Sequence, residues 1–195
     1  LAKATGDARY ADFAQYQIDA RGQRPSILEE NLKDEEAQKL SPWMRRMLSQ
    51  PGDGAQPYSG SYVQDHLPVR QTKQAVGHAV RAMYLYAAAT EAFVPHDEEM
   101  TSALTTIWDN MVQRRMYVTG GIGDEGAHEG FTRDFRLPNR TAYAETCAAC
   151  GVVFWALRWL HATGDASYLE ILETALYNGM LAGMSPQGDK FFYEN

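Results

Sequence analysis

The stretch "GAHEGFTRDFRLPNRTAYAETCAAC", Gly126 to Cys150, brings two glutamates and two thiols into one Gly- and Pro-punctuated segment. Glu129 and Glu145 stand sixteen positions apart, and Cys147 and Cys150 are the two cysteines of the chain. A carboxylate and a thiolate converging on one point suit zinc, with Zn–O of about 2.0–2.2 Å and Zn–S of about 2.3 Å. Residues i and i+2 of a regular helix point about 200° apart, so Glu145 and Cys147 cannot meet on one. In an extended segment they share a side. Pro138 disfavours helix just before it, and Thr146 is an acceptable N-cap. The spacing therefore predicts an extended "YAETC" that turns into a helix near Thr146, with both donors facing one point. Two simpler readings stand beside this one. Cys147-x-x-Cys150 has the spacing of a redox pair, but no thioredoxin-like strand–helix unit is evident around it. Cys147, Cys150, Phe154, Leu157 and His161 also fall on one helical stripe, where the thiols would be small buried hydrophobes.

The elements that must position these residues read as helical hairpins. "ATGDARY" near the start recurs as "ATGDASY" at Ala162–Tyr168, each a Gly-ended helix followed by an Asp-led helix start. A repeated interhelix turn suggests repeated helix pairs, as in α-toroids and solenoids. A helix is expected from Val69, after Pro68, through "VRQTKQAVGHAVRAMYLYAAATEAF", which puts His78 in mid-helix. A second runs from Asp97 through "DEEMTSALTTIWDNMVQRR", with acids in its first turn and Arg114 and Arg115 in its last. "TAYAETCAACGVVFWALRWLHA" supplies a third. Trp155, Trp159, Phe154 and Tyr84 have the spacing of core residues. The region from Asn31 to Ser61 reads as mostly loop. "YVTGGIGDEGAHEG" is too glycine-rich for helix and is expected to form a short hairpin, and "DKFFYEN" alternates like the start of a strand. The fold class expected is all-α, in a single domain spanning 1–195.

With 195 residues and 45% hydrophobic side chains the chain can bury a core. A net charge of −7 argues against nucleic-acid or anionic-membrane surfaces, which need clustered Lys and Arg. No apolar run approaches the roughly 20 residues of a membrane span. No leader is visible in "LAKATGDARY", which favours the cytoplasm, although the missing initiator Met makes the chain read as a piece truncated at both ends and leaves the compartment open. A truncated helical domain would expose apolar faces and is expected to pair with a second copy.

"GGIGDEGAHEGF", "LPNRTAYAETCA" and "VRQTKQAVGHAVRAMYLY", in a helical frame with "ATGD" turns, resemble the bacterial β-L-arabinofuranosidases of glycoside hydrolase family 127. The resemblance covers most of the chain. It implies a catalytic (α/α)6 barrel, of which this chain would be a part, and a zinc ion held by one Glu and three cysteines, one of them the nucleophile. It places the general acid/base at Glu129, the zinc-binding Glu at Glu145 and the first zinc-binding Cys at Cys147. His78 in "GHAVRA" and Tyr193 in "FFYEN" would bind the sugar. The family's adjacent cysteine pair has no match here, so the nucleophile and the last zinc ligand would lie outside the chain, and Cys150 replaces neither. The zinc site within the chain is thus incomplete, and the chain alone is expected to be inactive.

The chemistry implied is hydrolysis of a carbohydrate with retention. Glu129 would start protonated, give its proton to the leaving oxygen and then serve as base toward water. Other readings remain: a different (α/α)-barrel carbohydrate enzyme such as an epimerase or uronide hydrolase, which has no use for a Glu-x-Cys pair, or a non-enzymatic helical interaction module with buried thiols. His66, just before a helix, is a weaker pocket candidate. His96 and His161 read as solvent-side residues, and His128 as a neighbour able to tune Glu129.

Overall fold

The computed structural model describes residues 1–33 and 59–194. Helices dominate: α1 (Ala2–Thr5), α2 (Arg9–Ala20), α3 (Ile27–Lys33), α4 (Ala79–Phe93), α5 (Glu98–Arg114), α6 (Thr146–Thr163) and α7 (Ser167–Thr174), the last continuing into a π-helical turn at Ala175–Met180. The named strands among the described residues are β1 (Gly77–His78) and β2 (Gly130–Phe131), paired antiparallel with Gly77 opposite Phe131 and His78 opposite Gly130. Among the described residues, no helix is long and apolar enough to cross a membrane.

The core is centred where α4 packs along α6. Ala148, Ala149, Val152, Trp155, Ala156 and Trp159 form the buried face of α6, and Ala79, Ala82, Met83, Tyr86 and Phe93 lie on that of α4. The Trp155 ring lies 5.2 Å from Tyr86 and 5.0 Å from Trp108, and its Nε1 donates to Thr90 Oγ1 at 2.8 Å. Trp159 stacks on Tyr168 at 5.2 Å. Pairs of this kind add about 0.5–1.5 kcal/mol each beyond area burial, so the aromatics tie α4, α5, α6 and α7 together. Trp155 and Trp159 are core as expected; Tyr84 and Phe154 are not. Those two pack on each other at 5.9 Å with nearly half of each exposed. The expected stripe from Cys147 to His161 therefore lies away from the core: Cys147, Cys150 and Leu157 are half-buried, and Phe154 and His161 are exposed. The core face of α6 is the neighbouring run of Ala, Val and Trp, which carries no ionisable group.

The two "ATGD" turns are built alike. Gly6 (φ 71°) and Gly164 (φ 72°) end their helices in the left-handed region. Thr5 and Thr163 hydroxyls accept from the Asp7 and Asp165 amides, both at 3.2 Å. Asp7 Oδ1 accepts from Arg9 N at 3.0 Å, and Asp165 Oδ1 from Ser167 N at 2.9 Å. One local solution serves two helix junctions.

The helix expected from Asp97 begins as predicted, with Asp97 Oδ1 accepting from Met100 N at 2.9 Å and from Arg70 at 2.8 Å. The Met100 amide and then Arg70 hold this carboxyl below its ordinary range. The folded pKa is the lower one, so the contribution is full above the unfolded value of about 3.9 and is lost as pH falls through the folded value. Asp97→Ala should cost about 1 kcal/mol, a typical N-cap loss. A thermal melt at neutral pH checks it, and the difference from wild type should shrink in strong acid.

The helix expected from Val69 starts ten residues late. Val69–Gln71 is a short 3₁₀ turn, and α4 opens only at Ala79 with His78 as its N-cap. Gly77 sits at φ 72° and pairs in β1, which no helix allows. Of the loop expected from Asn31 to Ser61, Asn31 to Lys33 close α3, positions 34–58 lie outside the described residues, and Ser61–Val63 is a 3₁₀ turn. "DKFFYEN" makes isolated bridges, Met184 with Phe191 and Glu145 with Glu194, rather than a strand. Asn195 lies outside the described residues.

Candidate active site

The β1–β2 ribbon carries the first half of the site. Buried Gln64 donates through Nε2 to Val76 O at 2.9 Å and His78 O at 3.2 Å. Buried Arg115 donates to Ala75 O at 2.6 Å and through Nε to Asp134 Oδ1 at 2.7 Å, while Asn110 accepts from Ala75 N at 3.1 Å. Burial works to raise the Asp134 pKa, and donors from Asn110, Arg115 and Arg114 overcome it, so the carboxyl sits below its usual range. The expected glycine-rich hairpin is present as tight turns, with bridges Met116–Ile122 and Glu125–Gly130. Its outer strand then pairs with β1 instead of extending the hairpin. Gly77 and Gly130 make this approach possible: a Cβ on Gly130 would lie 1.9 Å from Gly77 O, and one on Gly77 would lie 2.0 Å from Ser61 O.

The pairing brings Glu129 against His78. Ala79 N donates to Glu129 O at 3.0 Å, and Glu129 holds φ 55°, an uncommon conformation for a non-glycine residue. His78 Nδ1 accepts from Arg81 N at 3.4 Å as the cap of α4. That contact leaves the ring proton on Nε2, which faces Glu129 Oε2 at 3.0 Å. Burial lowers the His78 pKa, with Glu145 and Glu129 opposing it, so the neutral donor tautomer is favoured. Tyr143 O–H donates to the other oxygen, Oε1, at 3.2 Å. Behind His78 stands Tyr62, edge-on at 5.4 Å, with Arg81 over its ring.

The second half is the start of α6. Ala144 N donates to Gly123 O at 2.9 Å, which lays the segment beside the glycine-rich loop. Ala144 takes φ 38°. The helix starts at Thr146, close to where the sequence predicts, but Glu145 and not Thr146 takes the N-cap position, after a kink at Ala144. Thr146 N donates to Tyr193 O at 2.8 Å and its hydroxyl to Phe192 O at 2.9 Å, which docks Tyr193 here. Glu145 is 1% exposed, and neither of its carboxylate oxygens meets a partner in hydrogen-bond geometry. The Cys147 thiol and the Tyr193 hydroxyl stand close enough to feel its charge. Burial and then Glu145 push the Cys147 thiol up, and Glu145 first of all raises the Tyr193 phenol. Tyr143 and Tyr193 lie edge to face at 6.5 Å and join the two halves.

All five residues singled out from the sequence, His78, Glu129, Glu145, Cys147 and Tyr193, thus lie in one neighbourhood. A buried carboxylate lacking formed hydrogen bonds, beside a thiol, is a donor set that suits zinc. Among the described residues no third His, Cys, Asp or Glu completes a metal-binding group. His78 caps its helix instead of lying within it. His128 turns elsewhere, with Nε2 on Phe131 O at 3.1 Å, and lines a cavity of about 450 Å³ with Tyr62, Gly77 and Arg133. His66 sits with Asp65 and Arg24, where burial lowers its pKa. His96 and His161 are exposed. Sequence reasoning missed Tyr143, Tyr62 and Arg115. For Tyr143 a signal was present: it lies two positions before Glu145, on the stretch already predicted to be non-helical.

A family model for the β-L-arabinofuranosidase GH127 catalytic domain matches residues 1–195. A non-reducing end β-L-arabinofuranosidase of Bifidobacterium longum subsp. longum is 35% identical over 196 aligned positions, covering 100% of this chain and 28% of that protein. A solved GH127 β-L-arabinofuranosidase from Geobacillus stearothermophilus T6 superposes with a TM-score of 0.87 at 43% identity, over 100% of this chain and 29% of the other. A solved GH127 β-arabinofuranosidase gives a TM-score of 0.78 at 38% identity, over 100% of this chain and 26% of the other. The chain therefore spans under a third of the length of these relatives. Over that span it belongs to the GH127 β-L-arabinofuranosidase catalytic-domain family.

Proposed function

We propose that the protein carrying this chain is a retaining glycoside hydrolase that releases terminal β-L-arabinofuranose or a related furanoside, and that these helices form part of an (α/α)6 barrel. The observation that carries the reading is the convergence of the Glu129–His78–Tyr143 cluster on the Glu145–Cys147–Tyr193 cluster. The names of the relatives and the repeated junction between helix pairs support it.

Glu129 acts as general acid toward the leaving oxygen and then as general base toward water. His78 Nε2–H meets the Glu129 carboxylate and is placed to turn to a sugar hydroxyl. Tyr193, half exposed beside Tyr143, offers a ring and a hydroxyl at the edge of the same space. Glu145 and Cys147 would hold zinc, with the remaining cysteines, the nucleophile among them, supplied from outside these 195 residues. Bound zinc keeps its sulfur ligands as thiolates at neutral pH. Glu145, enclosed beside the Cys147 thiol, does not move protons.

The test is made on the intact protein with an aryl β-L-arabinofuranoside and a metal assay. Wild type should turn over the substrate and hold about one zinc per chain. Cys147→Ser should lose most of the zinc, at least ten-fold in affinity, since a hydroxyl is a poor ligand beside a thiolate. Zinc that stays at wild-type level in Cys147→Ser would favour a helical module with incidental thiols.

A further inference from the structure

We infer that Tyr143 is a positioning residue for the acid/base carboxylate, holding Glu129 through its hydroxyl and so fixing which oxygen faces the leaving group. The inference rests on the glycosidase reading above and goes beyond it.

The geometry assigns the two carboxylate oxygens to different partners. His78 Nε2 meets Oε2 at 3.0 Å and Tyr143 O–H meets Oε1 at 3.2 Å. In the proposed function His78 is the sugar-binding partner, so its contact is the one that substrate would break. Oε2 would then be released to carry the transferring proton, while Oε1 stays tied to Tyr143. A carboxyl held by one oxygen cannot rotate freely, and orientation is a large part of what general acid catalysis needs.

Tyr143 is itself constrained. Its ring lies over Gly126, where a Cβ would meet Cδ2 at 3.2 Å, and its edge meets Tyr193 at 6.5 Å. The next residue, Ala144, sits at φ 38° and is anchored by Gly123 O at 2.9 Å. Glu129, which accepts from the Tyr143 hydroxyl, holds φ 55°. Two non-glycine residues in the left-handed region on either side of one contact are backbone held in place by its surroundings. Tyr143 is also the residue that touches the acid/base on one side and Tyr193, the neighbour of Glu145 and Cys147, on the other.

The experiment is Tyr143→Phe in the intact protein, with arabinofuranosides whose leaving groups run from dinitrophenol to a simple alcohol. A poor leaving group needs the proton and a good one does not. The expected result is a loss in kcat/KM of roughly 10- to 100-fold for the alcohol, the range for removing one hydrogen bond to a charged group. It should shrink to about two-fold or less for dinitrophenol, with KM and zinc content unchanged. In a Glu129→Gln background the same substitution should cost almost nothing more, because the proton that Tyr143 helps to place is no longer transferred. A loss equal across all leaving groups, a loss of zinc, or a full additional loss in the Glu129→Gln background overturns the inference. If Tyr143→Phe does not fold, 3-fluorotyrosine placed at 143 keeps the ring and strengthens the donor; rates on the alcohol that match wild type would then count against it. An inactive wild type sinks the glycosidase reading and this inference together. An active wild type, a dead Glu129→Gln and a flat leaving-group response sink this inference alone.

Discussion

Glu129→Gln in the intact protein is expected to lower turnover of arabinofuranosides with unactivated leaving groups by about 10²- to 10⁴-fold, the usual contribution of a positioned acid/base, and to leave bound zinc unchanged. Glutamine keeps the shape of the side chain and one acceptor oxygen, so the contacts to Tyr143 and His78 lose charge without leaving a hole. What disappears is the ability to carry and return a proton. The zinc result separates the two glutamates. Glu129 sits on the ribbon with two donors at its oxygens, while Glu145 is enclosed beside a thiol with no formed hydrogen bond. Loss of zinc in Glu129→Gln would mean that the two roles had been exchanged. Steady-state kinetics and metal analysis of one preparation decide between them.

Gly130→Ala should be among the most damaging single methyls in the described structure. Its Cβ would fall 1.9 Å from Gly77 O and 2.6 Å from Gly77 C, both backbone atoms with no rotamer to relieve the clash. The β1–β2 ribbon must open, and with it the approach of Glu129 to His78. Overpacking a rigid site costs about 1–3 kcal/mol where side chains can shift, and this position belongs at or above the top of that range. Each kcal/mol lowers the melting temperature by about 2–4 °C in domains of 150–250 residues. Gly164→Ala is the comparison: it incurs the backbone strain of φ 72° but meets nothing within 4 Å. It should therefore melt only slightly early and keep its activity. A Gly130→Ala protein that melts and turns over like wild type would mean that the ribbon is not what holds the site.

The local parts of this structure were legible in the sequence because they are decided locally. Asp97 announces its helix by residue type and by the acids that follow, and both "ATGD" turns settle their own hydrogen bonds within five residues. The start of α6 was legible too, since Thr146 follows a stretch that proline and spacing mark as non-helical. The sequence puts His78 in mid-helix because the signal against helix there is not local. The glycine before it looks tolerable in mid-helix until Phe131, fifty-four positions later, pairs with it. Phe154 and Tyr84 were misassigned because periodicity finds a face without saying which neighbour covers it, and alanines won the inner face of α6. Spacing points to Glu145 and Cys147 as a donor pair, while the roles of Glu129, His78 and Tyr193 rest on the resemblance. What spacing could not supply was Tyr143, whose partner is chosen by the fold of two loops.

The left-handed backbone at Glu129 and Ala144 also says something about how this domain can be improved. Substitutions that relax strained positions are a common route to thermostability. Here the most obvious such change, glycine at Ala144, would free the hinge that aims Tyr143 and Glu145 in different directions. Heat tolerance and catalytic alignment are therefore set against each other at a single residue, and stabilising changes are better sought around the aromatic core of α6, where rigidity and function do not compete.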